Sequence, residues 1–251
     1  MLLSWLDNSA HGGLYPGRVW LDADTAAPLA DGRSPDMLTA FSALLAAKTP
    51  PGRKGRRIVL TVSDQLAAIA ALPWQAALTR PAEVDAYAQV CFERQGQRMD
   101  GDWVMVGAFR DHQRMGLAYA LPTAWLAQLR EIALAHGMVL DTVMPISAAA
   151  YFHQRRPRGG ARKLVVLRET GRTSALMFDH AGLIAYDLET VAGSAEQSSA
   201  RLLRRLQVLY GEIGQVDDWS PEALEARASD GLIAGCLPLA TARHIDDRAW
   251  R

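Results

Sequence analysis

The chain has 251 residues, 49% of them hydrophobic and 22% charged, which suits one large or two ordinary globular units with a full core. Lys+Arg 27 balances Asp+Glu 27, so no global field draws nucleic acid or an acidic surface, and electrostatics must be argued locally.

The N-terminal stretch MLLSWLDNSAHGG lacks a basic n-region, so it is not expected to be a signal peptide. No run nears the roughly 18 apolar residues that cross a bilayer. A cytoplasmic protein is expected, at a membrane only peripherally and through another chain. Arg18–Ala23 is the first strand candidate, followed by the turn-rich Asp31–Pro35. Met37, Phe41, Leu44 and Leu45 repeat with a helical period over Met37–Ala47. Prolines and glycines make Thr49–Arg57 (TPPGRKGRR) a loop, and the apolar run Ile58–Val62 reads as a central strand buried on both faces. A strand over Ala67–Leu72 ends at Pro73–Trp74. A helix follows, with Pro81 near its start, Glu83 and Asp85 at its positive end and Gly96 as its stop. Val84, Tyr87, Ala88, Cys91 and Phe92 form its apolar face. Cys91 and Cys236 show no CxxC and no His spaced for zinc, so a buried free thiol at Cys91 and a reducing compartment are expected.

Asp102–Arg110 and Met115–Leu121 pair antiparallel about a polar turn at Asp111–Arg114. Thr123–His136 is helical with Leu126, Leu129, Ile132 and Ala133 inward, and Gly137 stops it. Met138–Met144 is a strand and Ser147–Gln154 a short helix. The loop Arg155–Lys163 (RRPRGGARK) precedes the most informative stretch, Leu164–Ile184. That stretch is a hairpin with a tight polar turn at Glu169–Arg172 and a second turn at His180–Gly182. Ala185–Val191 gives a third strand, and the helix Ala195–Tyr210 is expected to bury Leu202, Leu203, Leu206, Leu209 and Tyr210. Pro221–Ala228 reads as a short helix and Asp230–Ala240 as a last strand and turn. The alternation indicates an α/β chain, mixed sheets flanked by helices, with a break near residues 155–163.

Two basic loops are candidate contacts for acidic headgroups or an anionic partner: Arg53, Lys54, Arg56 and Arg57, and Arg155, Arg156 and Arg158. The competing reading is a pair of solvated connectors. Trp74 either wedges the end of a sheet or lines a groove for a partner peptide. Nucleic acid is not an expected partner, since aromatics beside the loops are sparse and no recognised motif is present. The six histidines are dispersed, and P-loop, GxGxxG, HExxH and G-x-S-x-G motifs are absent. No catalytic residue and no metal ligand set is therefore assigned. Asp22 and Asp24, at a strand end, are weighed for metal-assisted phosphate chemistry, but lack a following Gly and a neighbouring Lys.

Four stretches together resemble a known family. They are the strand–turn–strand Ile58–Trp74 ending in Leu-Pro, the helix Pro81–Gly96, the helix–Gly–strand–Pro–helix unit Leu134–Phe152, and the hairpin at 164–184 with its ensuing strand, AGSAEQ and long helix. Over about residues 18–212 the chain is similar to the actin-like assembly proteins of type IV pilus and type II secretion machines, the PilM proteins and the cytoplasmic domain of the GspL proteins. The resemblance implies an actin-like (ribonuclease H-like) two-lobed fold: residues 1–157 as a first lobe with an inserted subdomain, and 158–251 as a second, shortened lobe. It implies a non-enzymatic scaffold that binds the cytoplasmic tail of a bitopic inner-membrane platform protein and the assembly ATPase, with homodimerisation left open.

Set beside ATP-binding relatives, the nucleotide motifs are degenerate. Their first-strand loop resembles Asp-x-Gly-x-x-x-x-Lys, whereas LDADTAAPL (Leu21–Leu29) has no Gly. Their second loop resembles Asp-x-Gly; the matching place reads Arg168-Glu169-Thr170-Gly171, with Gly171 kept and Arg168 standing for the metal-holding carboxylate. The adenosine-side Gly-Gly motif is missing, with GLIAG (Gly231–Gly235) a faint echo. Phosphoryl transfer needs charge neutralised around the phosphates, so no cofactor and no ATP turnover are expected. The alternative is an active actin-like ATPase or sugar-kinase-like enzyme with an unusual phosphate loop. GspL-like chains carry a spanning helix after this domain, and the resemblance is expected to fit instead the PilM-like arrangement with a separate membrane anchor.

Overall fold

Twelve strands fall into three sheets in the computed structural model, which describes residues 9–22, 24–25, 34–48, 56–97, 99, 101–154, 156–157, 159–190 and 195–220. The first sheet begins with β1 (Ser9–Tyr15), β2 (Arg18–Leu21) and β3 (Asp24–Thr25), after which helix α1 (Ser34–Lys48) returns the chain to β4 (Arg56–Val62). A 3-10 turn (Asp64–Leu66) leads to β5 (Ala68–Leu72), α2 (Pro81–Arg94), β6 (Trp103–Ala108) and β7 (Gly116–Pro122). These three strands form their own antiparallel sheet, β5-β7-β6, packed against α2. Helix α3 (Thr123–Ala135) then brings the chain to β8 (Met138–Pro145), which completes the first sheet in the order β3-β2-β1-β4-β8. After α4 (Ile146–His153) come β9 (Lys163–Glu169), β10 (Arg172–Asp179), β11 (Gly182–Thr190), α5 (Ala195–Tyr210) and β12 (Gln215–Trp219), in the sheet order β11-β10-β9-β12.

The first and third sheets follow one path. Each opens with an antiparallel hairpin and a third antiparallel strand, then a helix, then a strand parallel to the first of the set. A parallel return needs a crossover of roughly a dozen residues or more, and α1 and α5 supply it.

Met37, Phe41 and Leu45 of α1 are buried on the first sheet, as their spacing predicts. Val84, Ala88, Cys91 and Phe92 of α2 are buried on the second, with Cys91 a free thiol. Glu83 caps α2 by accepting from the Thr79 and Arg80 amides at 2.9 and 3.0 Å. Helix α4 is buried from Ile146 to Tyr151. It is apolar on nearly every side and packs on β4, β7, β8, β9 and β10, so it sits between the sheets. Arg110 finishes it, donating to the Tyr151 and Gln154 carbonyls at 2.7 Å each.

Several expectations need correction. The first strand is β1, not Arg18–Ala23. SAHGGLY has no β-branched residue, and contact rather than propensity makes it a strand. A side chain at Gly12 would meet Leu60 Cδ2 at 2.8 Å, and one at Gly13 would run into the Trp20 indole. The run QVDDW, which carries no apolar pattern, is a strand because it pairs parallel with β9 and because Lys163 neutralises Asp217 at 2.7 Å. Arg56 and Arg57 belong to β4 rather than to the loop before it. On α5, Leu202 and Leu206 are buried, but Leu209 is 65% exposed, because the buried stripe centres on Leu206 and Leu209 lies at its fringe in the last turn. Arg53, Lys54, Arg155, Arg158, Pro221–Ala228 and Asp230–Ala240 lie outside the described residues.

Candidate functional site

A buried polar cluster lies where the 3-10 turn after β4 meets the β9–β10 hairpin. Asp64 opens that turn and has no exposed surface. Its carboxylate accepts from the Ser147 amide at 3.0 Å and from the Ser147 hydroxyl at the start of α4. Glu169, the last residue of β9, reaches across a sequence separation of 105 residues to accept from the Asp64 amide at 3.1 Å. Arg172, the first residue of β10, donates to the Asp64 carbonyl and to the Ser174 hydroxyl, each at 3.2 Å, and to the Tyr186 hydroxyl at 2.9 Å. The Gln65 side-chain amide donates to the Thr170 carbonyl in the hairpin turn. Three ties thus join two short turns.

The charges in this cluster do not balance if both carboxyl groups ionise, since Arg172 is one cation facing two acids. Burial raises the pKa of Asp64, opposed by the Arg172 charge and the Ser147 hydrogen bonds. Burial, and next the Asp64 charge, push Glu169 up to about 8. Burial and the same charge push Tyr186 up to about 12. Asp64 has both oxygens hydrogen-bonded, whereas Glu169 Oε1 is buried without a hydrogen bond. Both carboxyl groups are therefore harder to ionise than usual, and Glu169, with one oxygen unpartnered, has the less supported carboxylate.

Beside the cluster runs an open groove of about 620 Å³. Leu66, Trp103 and Trp125 give it apolar walls, and Gln65, Gln97 and Arg172 give it polar edges. Gln97 is held by donating to the Ile69 carbonyl at 3.0 Å, and the Trp125 indole nitrogen is buried without a hydrogen bond. Gln65 and Arg172 belong to both features. They tie the two turns together and they line the groove.

No protein-family profile and no curated protein sequence matches the chain. Solved structures do. A Bacteroides thetaiotaomicron protein of actin-like ATPase fold and unknown function matches 100% of this chain and 98% of its own, at 10% identity and a TM-score of 0.54. The fold is actin-like. The cytoplasmic domain of EpsL, an inner-membrane component of the Vibrio cholerae type II secretion system, is similar over 85% of this chain and 81% of its own, at 12% identity and a TM-score of 0.51. A chain of the PilM–PilN type IV pilus biogenesis complex is similar over 90% of this chain and 70% of its own, at 11% identity and a TM-score of 0.52. The actin-like resemblance drawn from the sequence thus returns in the fold.

Both comparisons with actin-like phosphate loops change with the structure in hand. Because β1 precedes β2, the loop after the first strand is Tyr15-Pro16-Gly17-Arg18 and not Leu21–Leu29. It has a glycine with φ +77°, and neither a carboxylate nor a lysine. In the second loop the Asp-x-Gly spacing places Glu169, not Arg168, two residues before Gly171. Arg168 pairs with Asp218 at 3.3 Å. Gly171, with φ +78°, turns the hairpin. The carboxylate survives as Glu169, but its Oε2 is engaged inside the joint.

The other sequence candidates are engaged elsewhere. Arg56 pairs with Asp22 at 3.1 Å, Arg57 with Asp141 at 3.6 Å, and Arg156 with Asp111. Lys48, distant in sequence, pairs with both Asp22 and Asp24 at 3.5 and 2.8 Å. Among the described residues no group of three His, Cys, Asp or Glu side chains is placed to hold a metal. Trp74 packs edge-on against Phe109 and His112, at centroid distances of 5.1 and 5.0 Å. None of Arg56, Arg57, Arg156 and Trp74 lines the groove. Sequence reasoning missed Asp64, Ser147, Arg172 and the groove tryptophans as a set, because no local spacing links residues that meet only through the fold. No helix among the described residues is long and apolar enough to cross a membrane.

Proposed function

We propose that this chain is a non-enzymatic cytoplasmic scaffold of a type IV pilus or type II secretion inner-membrane assembly platform. It binds the cytoplasmic tail of a bitopic membrane partner and contacts the assembly ATPase. In this reading residues 1–157 and 158–251 are its two lobes, and peripheral membrane contact through Arg53, Lys54, Arg155 and Arg158 is secondary. The observation that carries it is the position of Glu169, whose carboxylate caps the 3-10 turn inside the joint instead of facing an open phosphate site. Phosphoryl transfer draws its rate from charge stabilisation around the phosphates, and this geometry diverts one of the groups concerned. What stays open beside the joint is the two-tryptophan groove. Its indole walls and side-chain amides suit an extended tail that buries apolar side chains and bonds its backbone at the edges. The platform role itself is drawn from what the EpsL and PilM–PilN proteins are.

The test is capture of the membrane proteins encoded beside this gene by the full chain, with Trp103→Ala and Trp125→Ala expected to weaken capture. If none of those proteins is captured, the scaffold reading fails. The retained Glu169-Thr170-Gly171 favours one alternative, an actin-like ATPase or sugar-kinase-like enzyme. Calorimetric titration with Mg·ATP decides between them: micromolar binding or better, about −8 kcal/mol, would establish the alternative.

A further inference from the structure

The joint between the 3-10 turn and the hairpin turn is also a wall of the groove, and its charge depends on one proton. We propose that it is a proton-gated wall: with Glu169 protonated the two turns are held together, and with the proton lost they separate.

The 3-10 turn supplies Asp64 and Gln65, with Ser63 just before it; α4 supplies Ser147; β10 supplies Arg172 and Ser174; and β11 supplies Tyr186. Arg172 is the cation among them. When Glu169 ionises, a second buried negative charge faces Asp64 with the same single guanidinium to balance both. Tyr186 cannot relieve it, since it is protonated until about 12 and carries no positive charge. Moving the hairpin turn away hydrates Glu169 and lowers that cost. Burial of Glu169 together with the Asp64 charge sets the change near 8. The movement stays local, because α4 and the core shared by the first and third sheets are apolar and hold without these charges. Gln65 and Arg172 line the groove, so gate opening reshapes it. That a bound tail would feel this rests on the groove reading above; the gate itself does not.

Amide hydrogen exchange on the free full-length protein tests the gate, so its failure is separable from failure to capture a partner. Peptides covering residues 63–68 and 168–174 are followed at about pH 6.5 and about pH 9.5, corrected for intrinsic exchange. In the wild type their protection is expected to fall by about tenfold or more, while α2 and α4 hold theirs. Glu169→Gln keeps the acceptor for the Asp64 amide and stays neutral, so it is expected to keep protection at both values. Flat protection in the wild type, or an equal loss in Glu169→Gln, overturns the proposal. If Glu169→Gln does not fold, carboxyl-carbon NMR of the wild type decides. A Glu169 midpoint near 8 supports the gate, and one near the ordinary value of about 4.3 overturns it.

Discussion

The two hairpins that open the first and third sheets follow the same backbone path and are held by different means. Both turn at a glycine in the left-handed region, Gly17 at +77° and Gly171 at +78°, with open space where a side chain would stand. The β1–β2 hairpin is joined to the chain after β4 by a main-chain bond, Ser63 amide to Leu14 carbonyl at 2.9 Å. The β9–β10 hairpin is joined to the same stretch by the Glu169, Arg172 and Gln65 side chains. A main-chain bond asks little of the sequence and does not titrate. A side-chain joint does both, so the second hairpin is where substitution and pH act.

Asp64→Ala leaves the buried Ser147 amide and hydroxyl without their acceptor and leaves Glu169 alone to balance Arg172. Removing one partner of such a buried set costs about 3–5 kcal/mol, read from the urea unfolding midpoint at constant m-value. A loss under about 1 kcal/mol would mean that the second hairpin leans on side chains no more than the first.

The first sheet has its own weak point, which is packing. The Trp20 ring fills the space above Gly13, so Gly13→Ala forces it aside at about 1–3 kcal/mol. This loss should be the same at every pH, because no titrating group takes part in it. Loss that varied with pH would tie the first hairpin to charge after all.

The pH dependence comes next, and its sign is fixed by linkage. The folded value of Glu169, about 8, lies above the unfolded value of about 4.3, so between the two the folded chain binds the extra proton. Its stability contribution is full below about 4.3 and falls as pH rises to about 8. Asp64, also raised, acts with the same sign. Glu169→Gln should lose the Glu169 share of that slope, while Gly13→Ala keeps the wild-type slope. Urea midpoints across the range measure it, and parallel curves for Glu169→Gln and the wild type would assign the slope to other groups.

The uneven legibility of the sequence follows the same division. Helices α1, α2 and α3 were readable because burial on one face imposes a 3.6-residue period on Phe41, Ala88 and Leu129. The hairpin at 164–184 was readable from apolar strands between glycine turns. β1 was not, because Gly12 and Gly13 are there for the close approach of Leu60 and Trp20, and close approach erases the strand signature. The site was legible only as positions. Glu169 looked like a turn residue and Asp64 like a loop residue, and nothing local says that the two meet. Leu209 shows the limit of periodicity, since it faces solvent while Tyr210, one residue further on, packs against the cluster beneath α5.

The smallest prediction isolates the turns themselves. Gly17→Ala and Gly171→Ala each place a Cβ in the left-handed region without a clash, at about 1 kcal/mol apiece from backbone strain. If backbone strain is all that matters, the two losses are equal. The side-chain joint adds a second effect at one of them only. A shift of Thr170 out of place would also loosen its carbonyl from Gln65, and the Gly171→Ala loss would then exceed the Gly17→Ala loss. Making both substitutions in a Gln65→Ala background removes that tie, and the difference between the turns should vanish with it. A difference that persisted would place the asymmetry in the backbone of the hairpins rather than in what the second one grips.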